Sequence, residues 1–181
     1  MLPLTDDYAM AKQACTTLQS SADLGATTAT DSGLRLAREH LQNKVNNPMN
    51  QVDGPQGRRF ATKVIVLLTD GLPNAWESDA DSVEQYVATN PDSNFYPAGN
   101  TWFNSPIRHA HEFLTTQRGS VYGVGMGMGV DYDFMDRIAR ISRTAEGGQS
   151  PRSSGDPSAY EAQLIEIFRR IIGRPGSRLV Q

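Results

Sequence analysis

The stretch Lys63-Val64-Ile65-Val66-Leu67-Leu68-Thr69-Asp70-Gly71 constrains this chain more than any other. From Val64 to Thr69 every residue is apolar or β-branched, with no polar alternation. Such a run fits a strand buried on both faces, as in a parallel sheet covered by helices. It stops abruptly at Asp-Gly. Ligands of open α/β sheets bind at the carboxyl ends of the strands, so Asp70 stands where a site would lie. Asp-Gly is also a common turn pair, and a plain turn accounts for Asp70 equally well at this stage.

Around this strand the pattern alternates between helix and strand. Asp6 or Asp7 caps a helix through about Leu18, with Tyr8, Ala11, Cys15 and Leu18 at helical spacing. A hydroxyl-rich loop beginning at Gly25 leads into a second helix, with Leu34, Ala37, Leu41 and Val45 on one face. Residues 46–59 read as a linker, and Asp81–Thr89 as a helix. Asn90–Pro106 reads as a long irregular loop holding Tyr96, Trp102 and Phe103, a size that is often functional. A helix over Pro106–Gln117 turns Ile107, Ala110, Phe113 and Leu114 inward, and Ser120–Gly125 is a second strand. Asp131–Ser142 forms a helix with Phe134, Met135, Ile138 and Ile141 on one side. After a polar loop at 144–157, Tyr160–Ile172 is amphipathic, its stripe made of Leu164, Ile167, Phe168, Ile171 and Ile172. The tail is extended, with Arg178-Leu179-Val180 suited to a sheet edge.

These elements predict an α/β fold with a parallel sheet and helices on both faces. The strands at 63–69 and 120–125 should be adjacent and parallel, joined by a right-handed crossover. Two strands are too few to shield such a core, so part of the sheet is expected from a segment or partner outside this sequence.

Composition removes several function classes. The net charge of −3 and the absence of a basic stripe argue against a nucleic-acid binder. Cys15 is the single cysteine, which excludes an internal disulfide and a multi-cysteine zinc site. No apolar run approaches the ~20 residues of a membrane span, and no signal peptide opens the chain. Any export or anchoring segment is therefore expected outside it.

Candidate chemistry is sparse. Gly123, Gly125, Gly127 and Gly129 suggest a dinucleotide loop but have Met128 and Val130 where the motif needs glycine, so packing and turning explain them better. His109 and His111 are two apart and cannot chelate one ion from a helix. Asp131, Asp133 and Asp136 lack the calcium-loop pattern; Asp131 reads as a helix cap and the others as solvated. No serine or cysteine has a paired histidine at a recognisable spacing.

Two sites remain informative: the hydroxyl-rich loop at 25–30 and the strand end at 69–71. A hydroxyl and a carboxylate converging there are hard oxygen ligands of the kind Mg²⁺ prefers. Val64-Ile65-Val66-Leu67-Leu68-Thr69-Asp70-Gly71, preceded by Gly25-Ala26-Thr27-Thr28-Ala29-Thr30-Asp31-Ser32-Gly33-Leu34, resembles the von Willebrand factor type A domain. Val121-Tyr122-Gly123-Val124-Gly125 is similar to that family's next strand. Tyr132–Arg140 and Tyr160–Ile172 resemble the subset found in bacterial tight-adherence (Tad) pilus-assembly proteins.

The resemblance implies a doubly wound, Rossmann-like domain over residues 1–173, incomplete at its N-terminus, with 174–181 as a tail. It implies a metal-ion-dependent adhesion site holding Mg²⁺, Mn²⁺ or Ca²⁺, with Thr28 (Thr27 is the alternative) and Asp70 as the ligands encoded here. It also implies a protein partner that brings a carboxylate to the metal, no catalysis, and a bacterial cell-envelope setting with an upstream anchor. The family's Asp-x-Ser-x-Ser loop is absent; Asp156-Pro157-Ser158-Ala159-Tyr160 is the nearest string and reads as the start of the last helix. The chain is thus expected to begin after the family's first strand, first helix and second strand, to bind metal weakly, and to be poorly soluble alone, self-associate through a bare strand edge or need its upstream half in trans. The competing expectations are a metal-dependent hydrolase or phosphotransferase using Asp70, and an inactive fragment.

Overall fold

The computed structural model describes residues 5–16, 28–46, 54–126, 129–150, 152–153 and 160–173. Thr27, Leu18, Gly127, Met128, the 156–158 string and the 174–181 tail lie outside the described residues. In chain order the elements are α1 (Tyr8–Thr16), α2 (Thr30–His40), β1 (Val64–Thr69), α3 (Ala80–Thr89), α4 (Thr101–Gln117), β2 (Ser120–Met126), α5 (Tyr132–Ile141), β3 (Arg152–Ser153) and α6 (Tyr160–Gly173).

β1 and β2 are parallel neighbours, in register from Val64 opposite Ser120 to Thr69 opposite Gly125. α3 and α4 fill the connection between them. β3, which sequence pattern did not mark, adds parallel to β2 at Gly125 and Met126, giving the order β1-β2-β3. A two-residue strand leaves no periodicity to read. Among the described residues β1 is therefore an edge strand.

Alternate positions of the strands feed two apolar clusters. Ile65, Leu67 and Val121 meet Leu34, Ile107, Phe113, Phe134, Met135 and Ile138 from α2, α4 and α5. On the other face Val64, Val66, Tyr122 and Val124 meet Leu164, Ile167 and Ile171 from α6. Full burial of such side chains is worth about 1.5–3 kcal/mol each. The two faces are not equally covered. Leu68 is 43% exposed, so β1 is not buried on both sides along its length as its composition suggests. α6 covers that face with one helix and leaves Phe168 and Ile172 of its expected stripe in solvent, Ile172 at 71% exposure.

Other departures have local causes. α4 starts at Thr101, five residues before Pro106, so Pro106 lies inside the helix. A proline there removes one backbone bond without ending the helix, because its neighbours Ser105 and Ile107 are buried by tertiary packing. Val45 leaves the α2 face and sits exposed in a 3₁₀ turn, Lys44–Asn46. α1 buries none of its residues. Asp131 caps α5, accepting from Phe134 N at 3.1 Å. Asp136 is buried, not solvated: its Oδ1 accepts from Ser150 N at 2.8 Å and Ser150 Oγ at 2.7 Å, pinning the loop that leads to β3. At Gly125 an added Cβ would stand 2.7 Å from the Tyr132 ring, so this glycine serves close helix–strand packing. Among the described residues no helix is long and apolar enough to cross a membrane.

Candidate functional site

Helices that cross between parallel strands run back against them, so helix N-termini gather where the strands end. Here the start of α2, the loop leaving β1 and the start of α4 meet at that end. Thr28 precedes α2, and its N–H donates to Asn74 Oδ1 at 2.6 Å while Asn74 N donates back to Thr28 O at 3.2 Å. Asn74 lies four residues after Asp70, on the same loop. Asp70 itself is exposed at the end of β1. Gly129, after β2, completes the rim; an added Cβ there would lie 2.8 Å from the Asp70 carbonyl oxygen. Only glycine allows that approach.

The loop from Asp70 is held by a buried group that sequence reading did not single out. Asp31, 1% exposed, sits in the first turn of α2. Its Oδ1 accepts from Ser32 N at 2.6 Å. Its Oδ2 accepts from Glu77 N at 3.0 Å, Ser78 N at 3.2 Å, Ser78 Oγ at 3.1 Å and Ser105 Oγ at 3.2 Å. Burial alone would raise its pKa; the Glu77, Ser78 and Ser32 amides and the Ser78 hydroxyl outweigh that and hold it below the usual value. The carboxylate thereby ties the Thr28 loop, the Asp70 loop and α4 together.

The network continues along α4. Ser105 Oγ lies 2.7 Å from Ser78 Oγ, and Ser78 Oγ lies 3.4 Å from His109 Nε2. His109 Nδ1 is 3.6 Å from Glu112 Oε2. Glu112 also receives Arg108 Nε at 3.0 Å and the Arg38 guanidinium. Burial would raise Glu112, but the His109 and Arg108 side chains and the Arg38 charge hold it down at about 2. A Ser-His-Glu order of this kind resembles a hydrolytic triad. Ser78 Oγ stands closer to Asp31 Oδ2, at 3.1 Å, than to the imidazole, so the hydroxyl is bound into the Asp31 network. The set reads as a structural lock. His111 turns away to the Tyr86 hydroxyl at 3.0 Å, as the two-residue spacing requires.

Sequence carried one signal for this lock: Ser105, His109 and Glu112 share one face of α4, a polar stripe on a helix whose neighbouring face is core. Around the rim Leu72, Trp76 and Trp102 are exposed, the two indoles 5.8 Å apart. Among the described residues no group of three or more His, Cys, Asp or Glu side chains is placed to hold a metal ion. No family model, curated protein or solved structure matches the chain.

Proposed function

We propose that this chain is the C-terminal part of a von Willebrand factor A-type binding module, whose doubly wound sheet is completed by upstream segments. One observation carries the reading: Thr28 and the loop leaving Asp70 are hydrogen-bonded to each other at the carboxyl end of the apolar strand. A threonine hydroxyl and an exposed carboxylate are the hard donors that suit Mg²⁺, Mn²⁺ or Ca²⁺. In this reading Thr28 holds the ion directly and Asp70 holds it directly or through water. The ion supplies an open coordination position for a carboxylate of a protein partner, and no reaction is catalysed. Exposed Leu72, Trp76 and Trp102 beside the site suit a protein surface, since aromatic anchors dominate such interfaces. The setting in this reading is bacterial pilus assembly of the tight-adherence type or the cell envelope.

Two ligands leave most of the coordination sphere to water, so the 181-residue chain holds the ion weakly. The test is a protein extended upstream through an in-frame Asp-x-Ser-x-Ser, titrated with Mg²⁺ by calorimetry. Binding that Asp70→Ala and Thr28→Ala each abolish is the expected result. An extended protein that folds and ignores Mg²⁺ overturns the reading.

A further inference from the structure

The opposite pole of the sheet carries cations that neither the core nor the Thr28–Asp70 rim uses. Lys63 immediately precedes β1 and is 7% exposed. Lysine is rarely so buried without a counter-charge, because removing an ammonium from water costs several kcal/mol. Lys63 has three donors, and its Nζ donates to Asn43 Oδ1 at 2.9 Å. No carboxylate among the described residues forms an ion pair with it. Burial pushes its pKa below the ordinary lysine value.

Lys63 and Ala61 line two clefts that meet there. One, of about 470 Å³, also has Lys44 and Arg58 in its wall, with Asp6 as its one carboxylate. The other, of about 390 Å³, has Arg59 and Arg118 and no carboxylate. Gln117 Oε1, in that second wall, is buried without a hydrogen-bond partner among the described residues. The carbonyl ends of α2 and α4 lie at this pole and favour exposed cations such as Lys44 and Arg118. They do not give the buried Lys63 an anion.

We propose that this pole binds a phosphate-class oxyanion, a diphosphate or a phosphate ester, with Lys63 as its buried anchor. The guanidinium forks of Arg58, Arg59 and Arg118 match phosphate oxygens, and the ammonium supplies the charge at the centre. Both clefts exceed the volume of one orthophosphate, which leaves room for a second phosphate or the ester group.

Pyrophosphate titrated into the full chain at fixed ionic strength, with NaCl as the matched control, tests this by calorimetry and melting. A submillimolar Kd and a Tm rise absent from the NaCl control are expected. Lys63→Met keeps the stem and removes the charge; it should melt no lower than the parent without ligand and lose the pyrophosphate response. Arg58→Gln with Arg118→Gln, both at exposed positions, should weaken binding about a hundredfold, and they decide the matter if Lys63→Met does not fold. Asp70→Ala should leave the affinity unchanged, which separates this site from the metal rim. No response beyond the NaCl control, or an equal response in the variants, overturns the proposal. Vesicles distinguish the source of the phosphate. Sedimentation with phosphatidylglycerol but not phosphatidylcholine, reversed by pyrophosphate, assigns a lipid headgroup, and its absence assigns a soluble phosphate compound.

Discussion

Replacing Asp31 by asparagine keeps the shape of the most heavily bonded carboxylate among the described residues and removes its charge. The amide has one acceptor oxygen and one donor group where the carboxylate had two acceptors. The oxygen will take the Oδ2 position, where the Glu77 and Ser78 amides and the Ser78 and Ser105 hydroxyls converge. The NH₂ then faces Ser32 N–H, which sat 2.6 Å from the lost acceptor. Hydrogen bonds to a charged group are worth ~1.5–3 kcal/mol net against ~0.5–1.5 for neutral ones, and a stranded buried donor costs ~1–3 kcal/mol. Because the donors share one carboxylate, their contributions do not sum, and the expected loss is about 3 kcal/mol. For a chain of this size that lowers Tm by about 6–12 °C.

The pH dependence supplies a second readout. The folded-state pKa of Asp31 lies below its unfolded value, so its contribution is complete above the ordinary carboxylate range and fades as pH falls through the folded value. Urea unfolding of parent and Asp31→Asn proteins should therefore show a gap at pH 7 that narrows below about pH 4. Hydrogen exchange of the Glu77 and Ser78 amides should rise in the variant. A loss under 1 kcal/mol, or a gap that ignores pH, would falsify the account of Asp31 as the lock between the two loops.

Glu112→Gln should cost stability by about 3 kcal/mol at pH 7, converted from a carboxyl held at about 2, and the difference should vanish between roughly pH 4.5 and 2; urea midpoints across that range check it. Millimolar Mg²⁺ should leave the melting temperature of the 181-residue chain unchanged, and a large rise abolished by Asp70→Ala would contradict the weak site proposed for Thr28 and Asp70. The purified chain should show a concentration-dependent mass by sedimentation. Leu68→Lys, which charges the exposed end of β1, should reduce that association, whereas a monomer at every concentration would show the edge to be protected.

Much of the fold was legible because burial wrote itself into periodicity. The unbroken run of β1, the strand at Ser120 and the stripe of Phe134, Met135, Ile138 and Ile141 needed no tertiary information. The start of α4 was misread because proline is favoured in a first helical turn and here sits in the interior. Thr28 and Asp70 could be picked out because each lies within two residues of the end of an element. Asp31 and Ser78 could not, since what joins them to each other and to His109 is the approach of segments more than thirty residues apart. The cations around Lys63 are hidden for the same reason: Lys44, Arg58, Arg59 and Arg118 form no stripe until the chain folds. Asp136 is polar in sequence and interior in space, where the Ser150 amide and hydroxyl both donate to it.

The pairing of Val64 with Ser120 also sets a clock. On a ribosome adding ~5–20 residues per second, the ~56 residues between those partners take roughly 3–11 seconds to make. Throughout that interval the most apolar segment of the protein has been synthesised and the strand it docks against has not. α2 can offer Leu34, but the Ile107, Phe113 and Phe134 side chains that finish the cluster arrive with or after α4. The newborn chain is therefore a client for whatever shields hydrophobic segments at the tunnel exit, and slowing translation across α3 and α4 should lower its soluble yield.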